Sequence, residues 1–347
     1  MLNKLLGKFS KDLGIDLGTK NTLVYSSEKG VVVNEPSVVA INVRTDEILA
    51  VGEEAQKMLG KTPSHIQVIK PLVDGVISDF EVTEKMLKYF INKAHSESFV
   101  LTPRPRVVIG IPIDITEVEK KAVEDAAKSA GARQVFLVEE SMAAAIGARL
   151  PVIEATATMV VDIGGGTTEI SVISLGGIVT SRTLCLAGNE LDNNIIQYIR
   201  EEFNILVGEQ VAESIKVNIG SAAALKEPME LEVRGRDLFN GLPKAVKITD
   251  SQVREAIGRT LNKIIENIKT TLETTPPELV ADIYEHGIYL TGGAALLRGL
   301  DKEIAQATKI PVRVAEDALT CVVRGAGILI SDSELLEKIS LPSTGEI

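Results

Sequence analysis

The sequence predicts an α/β protein built from two related halves. Short apolar runs bounded by turns alternate with stretches of helical periodicity, which is typical of mixed strands and helices. The segment at 14–19 is similar to the segment at 161–167, because each is an apolar strand that reaches an aspartate and continues into a glycine and threonine turn. A chain of 347 residues is long enough for a hydrophobic core in each half. We therefore expect two related lobes.

The first half is predicted to open with a β-meander. Its short β-type runs, separated by tight turns, lie at 13–17, 21–26, 31–33, 37–42 and 48–51. Alternating helices and strands then follow, at 83–94 (helix), 106–111 (strand), 116–130 (helix), 134–138 (strand) and 140–148 (helix). Thr116 and Glu119 have the spacing of a capping box, which supports a helix start at that point.

The second half is predicted to begin again with strands, at 158–163, 168–175 and 177–184. Helices are expected at 189–203 and 208–219, followed by a β-hairpin at 229–249. A long amphipathic helix at 250–272 carries one apolar stripe, made of Val253, Ile257, Leu261, Ile264, Ile265 and Ile268. The remaining predicted elements are 287–291 (strand), 301–308 (helix), 312–314 (strand) and 320–330 (helix). We expect residues 331–347 to form a marginally ordered tail.

Composition excludes several classes of function. The 48 acidic and 37 basic residues give a net charge of −11, which disfavours binding to a nucleic-acid backbone. The two cysteines, Cys185 and Cys321, form no CxxC pair, so a disulfide framework or a zinc site is not expected. No apolar run has the length of a membrane-spanning helix. We expect a cytoplasmic protein.

The two similar turns have the chemistry of phosphate-binding loops. A glycine turn can direct consecutive backbone N–H groups into one concavity that binds phosphate oxygens. Asp16 and Asp162 lie where the strands reach these turns, so each can orient the water shell of a Mg²⁺ ion. The hydroxyls of Thr19, Thr167 and Thr168 can add donors. Either turn alone could be a simple tight hairpin, but the matched pair favours phosphate binding.

Other nucleotide-binding motifs are missing from the sequence. It contains no GxxxxGK[ST], because Thr19 precedes Lys20, and no GxGxxG follows a strand. P-loop and Rossmann chemistry are therefore unsupported.

Six segments together resemble the MreB-like bacterial actins, within the superfamily of actins, sugar kinases and heat-shock chaperone ATPases. They are 14–23 (GIDLGTKNTL), 107–116 (VVIGIPIDIT), 138–148 (VEESMAAAIGA), 160–175 (VVDIGGGTTEISVISL), 275–281 (TPPELVA) and 287–301 (GIYLTGGAALLRGLD). The resemblance implies an actin-like ATPase fold, with two lobes around a nucleotide cleft and a smaller subdomain on each lobe. It further implies ATP or ADP with Mg²⁺, slow ATP hydrolysis coupled to polymerisation, and guidance of cell-wall synthesis to maintain rod shape.

The resemblance also implies roles for particular residues. The first phosphate loop consists of Asp16, Gly18, Thr19, Lys20 and Asn21. The second consists of Asp162, Gly164, Gly165, Gly166, Thr167 and Thr168. Asp16 and Asp162 would hold the metal through water. Glu140 would orient the attacking water, and it forms the catalytic group with Asp162 and Thr167. As an alternative, Glu140 could simply start a helix.

Two further sets of residues match nucleoside contacts. Gly292, Gly293 and Ala294 match a turn against the adenosine, although they could form an ordinary turn between a strand and a helix. Glu213 and Lys216 match contacts to ribose and adenine, although this spacing is also typical of a surface ion pair.

Three residues depart from the family pattern. Ser141 replaces a proline after the glutamate, Ala294 replaces a third glycine, and Lys20 replaces a small residue in the first loop. These departures concern hydrolysis rate and nucleotide preference more than nucleotide binding.

The extreme N-terminus is predicted to bind membranes. Leu2, Leu5, Leu6 and Phe9 share one face of a helix whose other face carries lysines. A second apolar anchor is expected at Phe99, Val100 and Leu101. As an alternative, the N-terminal residues could dock on the protein's own surface and Phe99 could fill its core.

The expected domains are a membrane-binding segment (1–10), a first lobe (11–150), a second lobe (151–330) and the tail. Small subdomains are expected at about 34–70 and about 184–247. Expected partners are further copies of the chain, the inner face of the cell membrane, where the protein would be peripheral, and the cell-wall elongation machinery. The alternative functions are a small-molecule kinase, for which no base beside an acceptor pocket is evident, and a chaperone-type ATPase, which would need a substrate domain after residue 330.

Overall fold

The computed structural model describes residues 11–96 and 104–343. Its strands are β1 (Leu13–Leu17), β2 (Asn21–Ser26), β3 (Gly30–Pro36), β4 (Val39–Asn42), β5 (Glu47–Val51), β6 (Ile66–Ile69), β7 (Leu72–Val73), β8 (Val76–Ile77), β9 (Arg106–Ile111), β10 (Gln134–Glu139), β11 (Thr158–Ile163), β12 (Thr168–Ser174), β13 (Gly177–Leu184), β14 (Ile205–Leu206), β15 (Glu230–Asp237), β16 (Pro243–Thr249), β17 (Ile288–Thr291) and β18 (Val312–Val314).

The α-helices of the same residues are α1 (Glu53–Met58), α2 (Phe80–Ala94), α3 (Glu117–Ser129), α4 (Glu140–Gly147), α5 (Gly188–Phe203), α6 (Glu209–Ile219), α7 (Asp250–Thr274), α8 (Pro277–His286), α9 (Leu300–Thr308), α10 (Cys321–Ser331) and α11 (Ser333–Ile339). Short 3-10 helices lie at Gly293–Leu296 and Ala318–Thr320. Within these residues, no helix combines the length and the apolar character that a bilayer crossing requires.

The chain divides into two compact units. The first contains Met1–Thr156, Ile173–Ile178 and Leu319–Ile347, and the second contains Ala157–Val172 and Val179–Ala318. The sequence-based division at 150 and 330 differs from this one, because α10 packs with the first unit. A Cβ added to Gly14 in β1 would come within 2.7 Å of Gly327 N in α10, so this strand and this helix touch through their backbones.

The first unit is centred on a sheet of order β10-β9-β1-β2-β3. β1 runs antiparallel to β2 and parallel to β9, and β9 runs parallel to β10. Buried apolar residues of β1 and β9, among them Ile15 and Ile109, pack in one core with Phe90 and Ile91 of α2. A smaller sheet of order β5-β4-β6 lies within the range expected for the first subdomain.

The second unit contains a sheet of order β13-β12-β11-β17-β18, in which β11, β17 and β18 are parallel. The predicted stripe of α7 is buried in its core together with Ile195 and Ile199 of α5. A small sheet of order β14-β15-β16 spans 205–249 and so extends two residues past the range expected for the second subdomain.

Capping explains where several helices begin. Thr116 and Glu119 form the predicted capping box of α3. Asp79 accepts a hydrogen bond from Val82 N at 3.0 Å, so α2 starts three residues before the predicted position. A capping box of Thr249 and Gln252, which was not predicted, starts α7.

The expectation of a marginally ordered tail is wrong for residues 333–343. Asp332 accepts hydrogen bonds from Glu334 N and Leu335 N and thereby caps α11. Leu336 and Ile339 of this helix are buried. Several other elements were not predicted from the sequence, namely α1, β6, β7, β8, β14 and α8.

Candidate functional site

The first glycine turn links β1 to β2 in the first unit. Ser37 Oγ donates to the carbonyl of Gly18 at 2.6 Å, and Ser37 N donates to the carbonyl of Lys20 at 2.9 Å. Because the peptide units are planar and trans, the N–H groups of Thr19 and Asn21 point away from Ser37. The turn therefore presents N–H groups on one side, as an anion-binding loop requires.

Thr19 makes a contact that the sequence analysis missed. Its Oγ1 accepts a hydrogen bond from Gly75 N at 2.8 Å. Asp74 and Gly75, with φ values of 48° and 81°, form the turn between β7 and β8. The Asp-Gly pair between apolar residues was the available signal for this hairpin. Since Thr19 Oγ1 is an acceptor here, its own proton remains able to bind an oxyanion.

The second glycine turn links β11 to β12 and is held from the start of α5. Gly188 N donates to Gly164 O at 3.1 Å, and Asn189 N donates to Gly165 O at 2.8 Å. By the same geometry of planar peptides, the N–H groups of Gly165 and Gly166 point away from α5. Both predicted phosphate turns thus have their carbonyls held by a distant segment and their N–H groups directed to the other side.

Asp162 is the last but one residue of β11 and its side chain is buried. Its Oδ1 accepts a hydrogen bond from Thr291 Oγ1 at 2.6 Å. Burial raises the pKa of the Asp162 carboxyl, and the hydrogen bond from Thr291 partly opposes that shift. A buried carboxylate of this kind is stabilised by a nearby cation.

The carboxylates next to the two turns are the kind of ligand that can hold a magnesium ion through water. Among the described residues, no group of three or more His, Cys, Asp or Glu side chains could enclose a metal. Mg²⁺ typically binds one or two carboxylates together with substrate phosphates and keeps several waters. Asp16 in the first unit and Asp162 in the second each place one carboxylate next to a glycine turn.

The two threonines of the second turn differ in their surroundings. Thr168 Oγ1 donates to Leu186 O at 2.6 Å, so its proton is used inside the protein. The predicted role of Thr168 as a phosphate donor would require this bond to break. Thr167 is 8% exposed, and its carbonyl accepts a hydrogen bond from Gly164 N at 2.9 Å, which closes the turn.

Glu140 is the first residue of α4, and its side chain is 8% exposed. A Cβ added to Gly110 would lie 3.3 Å from Glu140 Cγ, and Gly110 is also the β9 partner of Asp16. Within the first unit, Asp16 and Glu140 therefore both lie next to Gly110. The neighbouring Glu139 still belongs to β10, and burial raises the pKa of its carboxyl.

Gly292 is required by a contact within the protein that adds to its predicted role. It has φ of +83°, and a Cβ at this position would lie 2.4 Å from Ile163 O. The close approach is therefore to the backbone of β11, next to the second turn. Gly293 and Ala294 begin the 3-10 helix Gly293–Leu296.

Lys216 lies on α6 and connects this helix to the start of α5. Its Nζ donates to Gly188 O at 2.7 Å and pairs with Asp192 Oδ1 at 2.8 Å. Gly188 is the residue whose N–H donates to Gly164 O, so Lys216 contacts the second turn through one intervening residue. Asp192 and Thr291 are site neighbours that the sequence analysis missed, because only the fold brings them to these positions.

Gly292→Ala should be much more destabilising than Gly241→Ala. Gly241 also has positive φ, at +73°, but a Cβ there would meet nothing within 4 Å. Both variants carry the cost of a positive φ for alanine, on the order of 1–3 kcal/mol, while only Gly292→Ala adds an overpacking cost of about 1–3 kcal/mol. Urea unfolding of both variants measures the difference. Equal losses would show that the contact with Ile163 is relieved by small shifts.

Comparison with known proteins decides the family. A family model described as MreB/Mbl protein matches residues 10–338. The chain belongs to the MreB/Mbl family. It is 53% identical over 333 residues to the cell shape-determining protein MreB of Escherichia coli strain K12, which covers 94% of this chain and 95% of the relative. It is 46% identical over 333 residues to the cell shape-determining protein Mbl of Bacillus subtilis strain 168, with 96% and 99% covered.

Solved structures confirm the predicted fold class. The structure of MreB 5 of Spiroplasma citri bound to AMPPNP matches with a TM-score of 0.89 and 38% identity, covering 94% of this chain and 97% of that one. The MamK double helical filament matches with a TM-score of 0.78 and 26% identity, covering 92% and 98%. The chain thus has the α/β fold of actin-like ATPases.

Membership in the MreB/Mbl family gives the chain an actin-like cytoskeletal role in cell shape. This confirms the function predicted from the sequence. It also decides against the two alternatives, a small-molecule kinase and a chaperone-type ATPase.

Proposed function

We propose that this MreB/Mbl family member binds ATP with Mg²⁺, hydrolyses it slowly and polymerises in the ATP-bound state. The observation that carries the proposal is the pair of glycine turns whose N–H groups are directed away from the segments that hold their carbonyls. The relatives support it, since MreB5 of Spiroplasma citri has been solved bound to AMPPNP and bound to ADP.

In the proposed mechanism the N–H groups of Thr19, Asn21, Gly165 and Gly166 bind phosphate oxygens. Mg²⁺, when bound, neutralises charge on the phosphates. Asp16 and Asp162 would hold the ion through its water shell, and burial would strengthen the attraction of Asp162 for the cation. The carboxylate of Glu140 accepts a hydrogen bond from the attacking water and aligns it with the γ-phosphate.

The nucleoside would lie beside the second turn. Gly188 is a neighbour of this turn, and the Lys216 contact to Gly188 O brings Glu213 and Lys216 of α6 to the same region. Gly292, Gly293 and Ala294 follow β17, whose partner strand β11 leads into the turn. We propose that these residues contact ribose and adenine.

Hydrolysis would act as a timer for the filament. Contacts from both glycine turns to the γ-phosphate favour the polymerising state, and hydrolysis removes one set of these contacts. The relative MamK is known as a double helical filament, which supports polymerisation of this chain. Electron microscopy of the purified protein with and without Mg-ATP tests this proposal, and a lack of filaments under both conditions would contradict it.

We also propose that the filaments are peripheral on the inner face of the cell membrane, where they guide the cell-wall elongation machinery. The apolar residues proposed for membrane contact are Leu2, Leu5, Leu6, Phe9, Phe99, Val100 and Leu101. All of them lie outside the described residues, so this proposal depends on the sequence pattern. A short anchor on each subunit is sufficient in a filament, because multivalency amplifies weak single-site binding.

Deletion of residues 2–9 should greatly reduce co-sedimentation with anionic liposomes. The deleted residues supply four large apolar side chains, each contributing up to about 1.5–3 kcal/mol of burial. The double variant Phe99→Ser, Leu101→Ser tests the second anchor separately. Filament formation in solution serves as the control. Equal sedimentation of wild type and both variants, with filaments intact, would contradict direct membrane binding.

A further inference from the structure

The residues after the last described helix lie against the strand that leads to Glu140. Leu341 N donates to Leu137 O of β10 at 2.9 Å, and the Leu341 side chain packs against the hydrophobic core of the first unit. Ser343 Oγ donates to Glu124 Oε1 of α3 at 3.1 Å. We call residues 341–343 the strap.

The strap contacts β10 where the sheet provides no further strand. β10 is the first strand in the order β10-β9-β1-β2-β3, so β9 pairs with only one of its edges. An edge strand has backbone groups that the sheet does not use. The Leu341 N–H bonds one of them, the carbonyl of Leu137, and therefore holds β10 from its outer side.

The second attachment of the strap is a buried carboxylate. Glu124 is 3% exposed and forms an ion pair with Lys128 on the same helix. The bond from Ser343 adds a donor to this carboxylate, so the strap is attached both to α3 and to β10. Two attachment points fix a short segment better than one.

The distance along the chain from the strap contact to Glu140 is short. Val138 and Glu139 complete β10, and α4 then begins at Glu140. The helix α10, which precedes the strap in the chain, packs closely against α4. A Cβ on Gly325 of α10 would lie 1.8 Å from Ala143 O, and a Cβ on Gly147 of α4 would lie 1.9 Å from Cys321 O. The strap before Glu140 and α10 after it therefore contact the chain on both sides of this residue.

We propose that the strap is a positioning element that fixes Glu140 for hydrolysis by holding the edge strand β10. This inference rests on the role proposed above for Glu140. When the strap is lost, the end of β10 can shift, and the carboxylate moves relative to the attacking water. Nucleotide binding depends on the glycine turns and stays unchanged.

Three variants test whether the strap affects hydrolysis separately from any effect on stability. Leu341→Ala removes side-chain packing and keeps the N–H donor, Leu341→Met restores apolar volume, and a chain ending at Ser340 removes the whole strap. We expect phosphate release to slow about tenfold in the shortened chain and less in Leu341→Ala, within the ~10²-fold cost of misplacing a group by an ångström. Leu341→Met should retain the wild-type rate. Affinity for a fluorescent ATP analogue should be the same in all of them.

The decisive measurement repeats the strap variants in a Glu140→Gln background. If the strap acts through Glu140, removing it there should not slow the residual phosphate release any further. Equal slowing in both backgrounds, or a wild-type rate in the shortened chain, would overturn the inference while leaving the proposed ATPase intact. Failure of the ATPase proposal itself looks different, because the wild type would then release no phosphate. Failure of the Glu140 assignment alone would leave wild type and Glu140→Gln with the same measurable rate. Hydrogen exchange at 134–140 should also quicken in the shortened chain.

Discussion

Asp162→Asn should abolish the stabilisation that Mg-ATP gives to the protein, while the nucleotide-free variant remains at least as stable as wild type. The amide oxygen can still accept the hydrogen bond from Thr291, but the variant has no charge to attract a cation. At a nucleotide concentration of 100 times Kd, the stabilisation lost is about 2.7 kcal/mol. Thermal unfolding with and without Mg-ATP measures it.

The pH dependence of the same variant gives a second test. Burial raises the pKa of Asp162 in the folded protein. A carboxyl with a raised folded-state pKa contributes most to stability when it is protonated, and this contribution falls as the pH rises from the ordinary aspartate range toward the raised pKa. Without nucleotide, the free energy of unfolding of Asp162→Asn should therefore rise relative to that of wild type as the pH increases over that interval.

Asp162→Ala is the matched control for the Thr291 contact. It removes the charge but also leaves the Thr291 hydroxyl without its acceptor, at a cost of about 1–3 kcal/mol. Both variants should lose the response to Mg-ATP, and only the alanine should lower stability without nucleotide. A wild-type Mg-ATP shift in Asp162→Asn would contradict the metal assignment.

Glu140→Gln should keep nucleotide affinity and slow phosphate release by about 10²–10⁴-fold, the usual contribution of a positioned general base. The amide has the shape of the carboxylate but cannot take up a proton from water. A phosphate-release assay and titration with a fluorescent ATP analogue measure the two quantities separately.

Glu139→Gln is the matched control, because it makes the same chemical change one residue earlier. Glu139 belongs to β10 and Glu140 to α4, so their side chains leave the chain in different directions. Glu139→Gln should hydrolyse at nearly the wild-type rate. If it is the slow variant instead, the water-orienting role belongs to Glu139.

Local sequence signals were sufficient for most of the fold. The capping pair Thr116 and Glu119 and the apolar stripe of α7 depend only on neighbouring residues, and both were predicted correctly. The helix α8 was missed although Pro277 stands at its start, where proline is common. The helix α11 was missed because its seven residues are too few for a clear period, and its stability comes from burial of Leu336 and Ile339.

The candidate site depends more on contacts that a single sequence does not contain. The positions of both glycine turns could be predicted, because each repeats the same short pattern. The residues that orient them, Ser37 in the first unit and Gly188 in the second, are distant in sequence and carry no motif. The close approach of Gly292 to the backbone of Ile163 could not be predicted for the same reason.

The contact between Gly14 and Gly327 has a consequence for the order of folding during synthesis. The strand β1 is among the first residues to leave the ribosome, while the helix on which it packs is among the last. A nascent chain that has reached residue 318 already contains every residue of the second unit, but its first unit lacks α10. Domains generally fold as units during translation, and contacts of long sequence separation form late. The second unit should therefore reach its native state first, although its residues follow most of the first unit in the sequence.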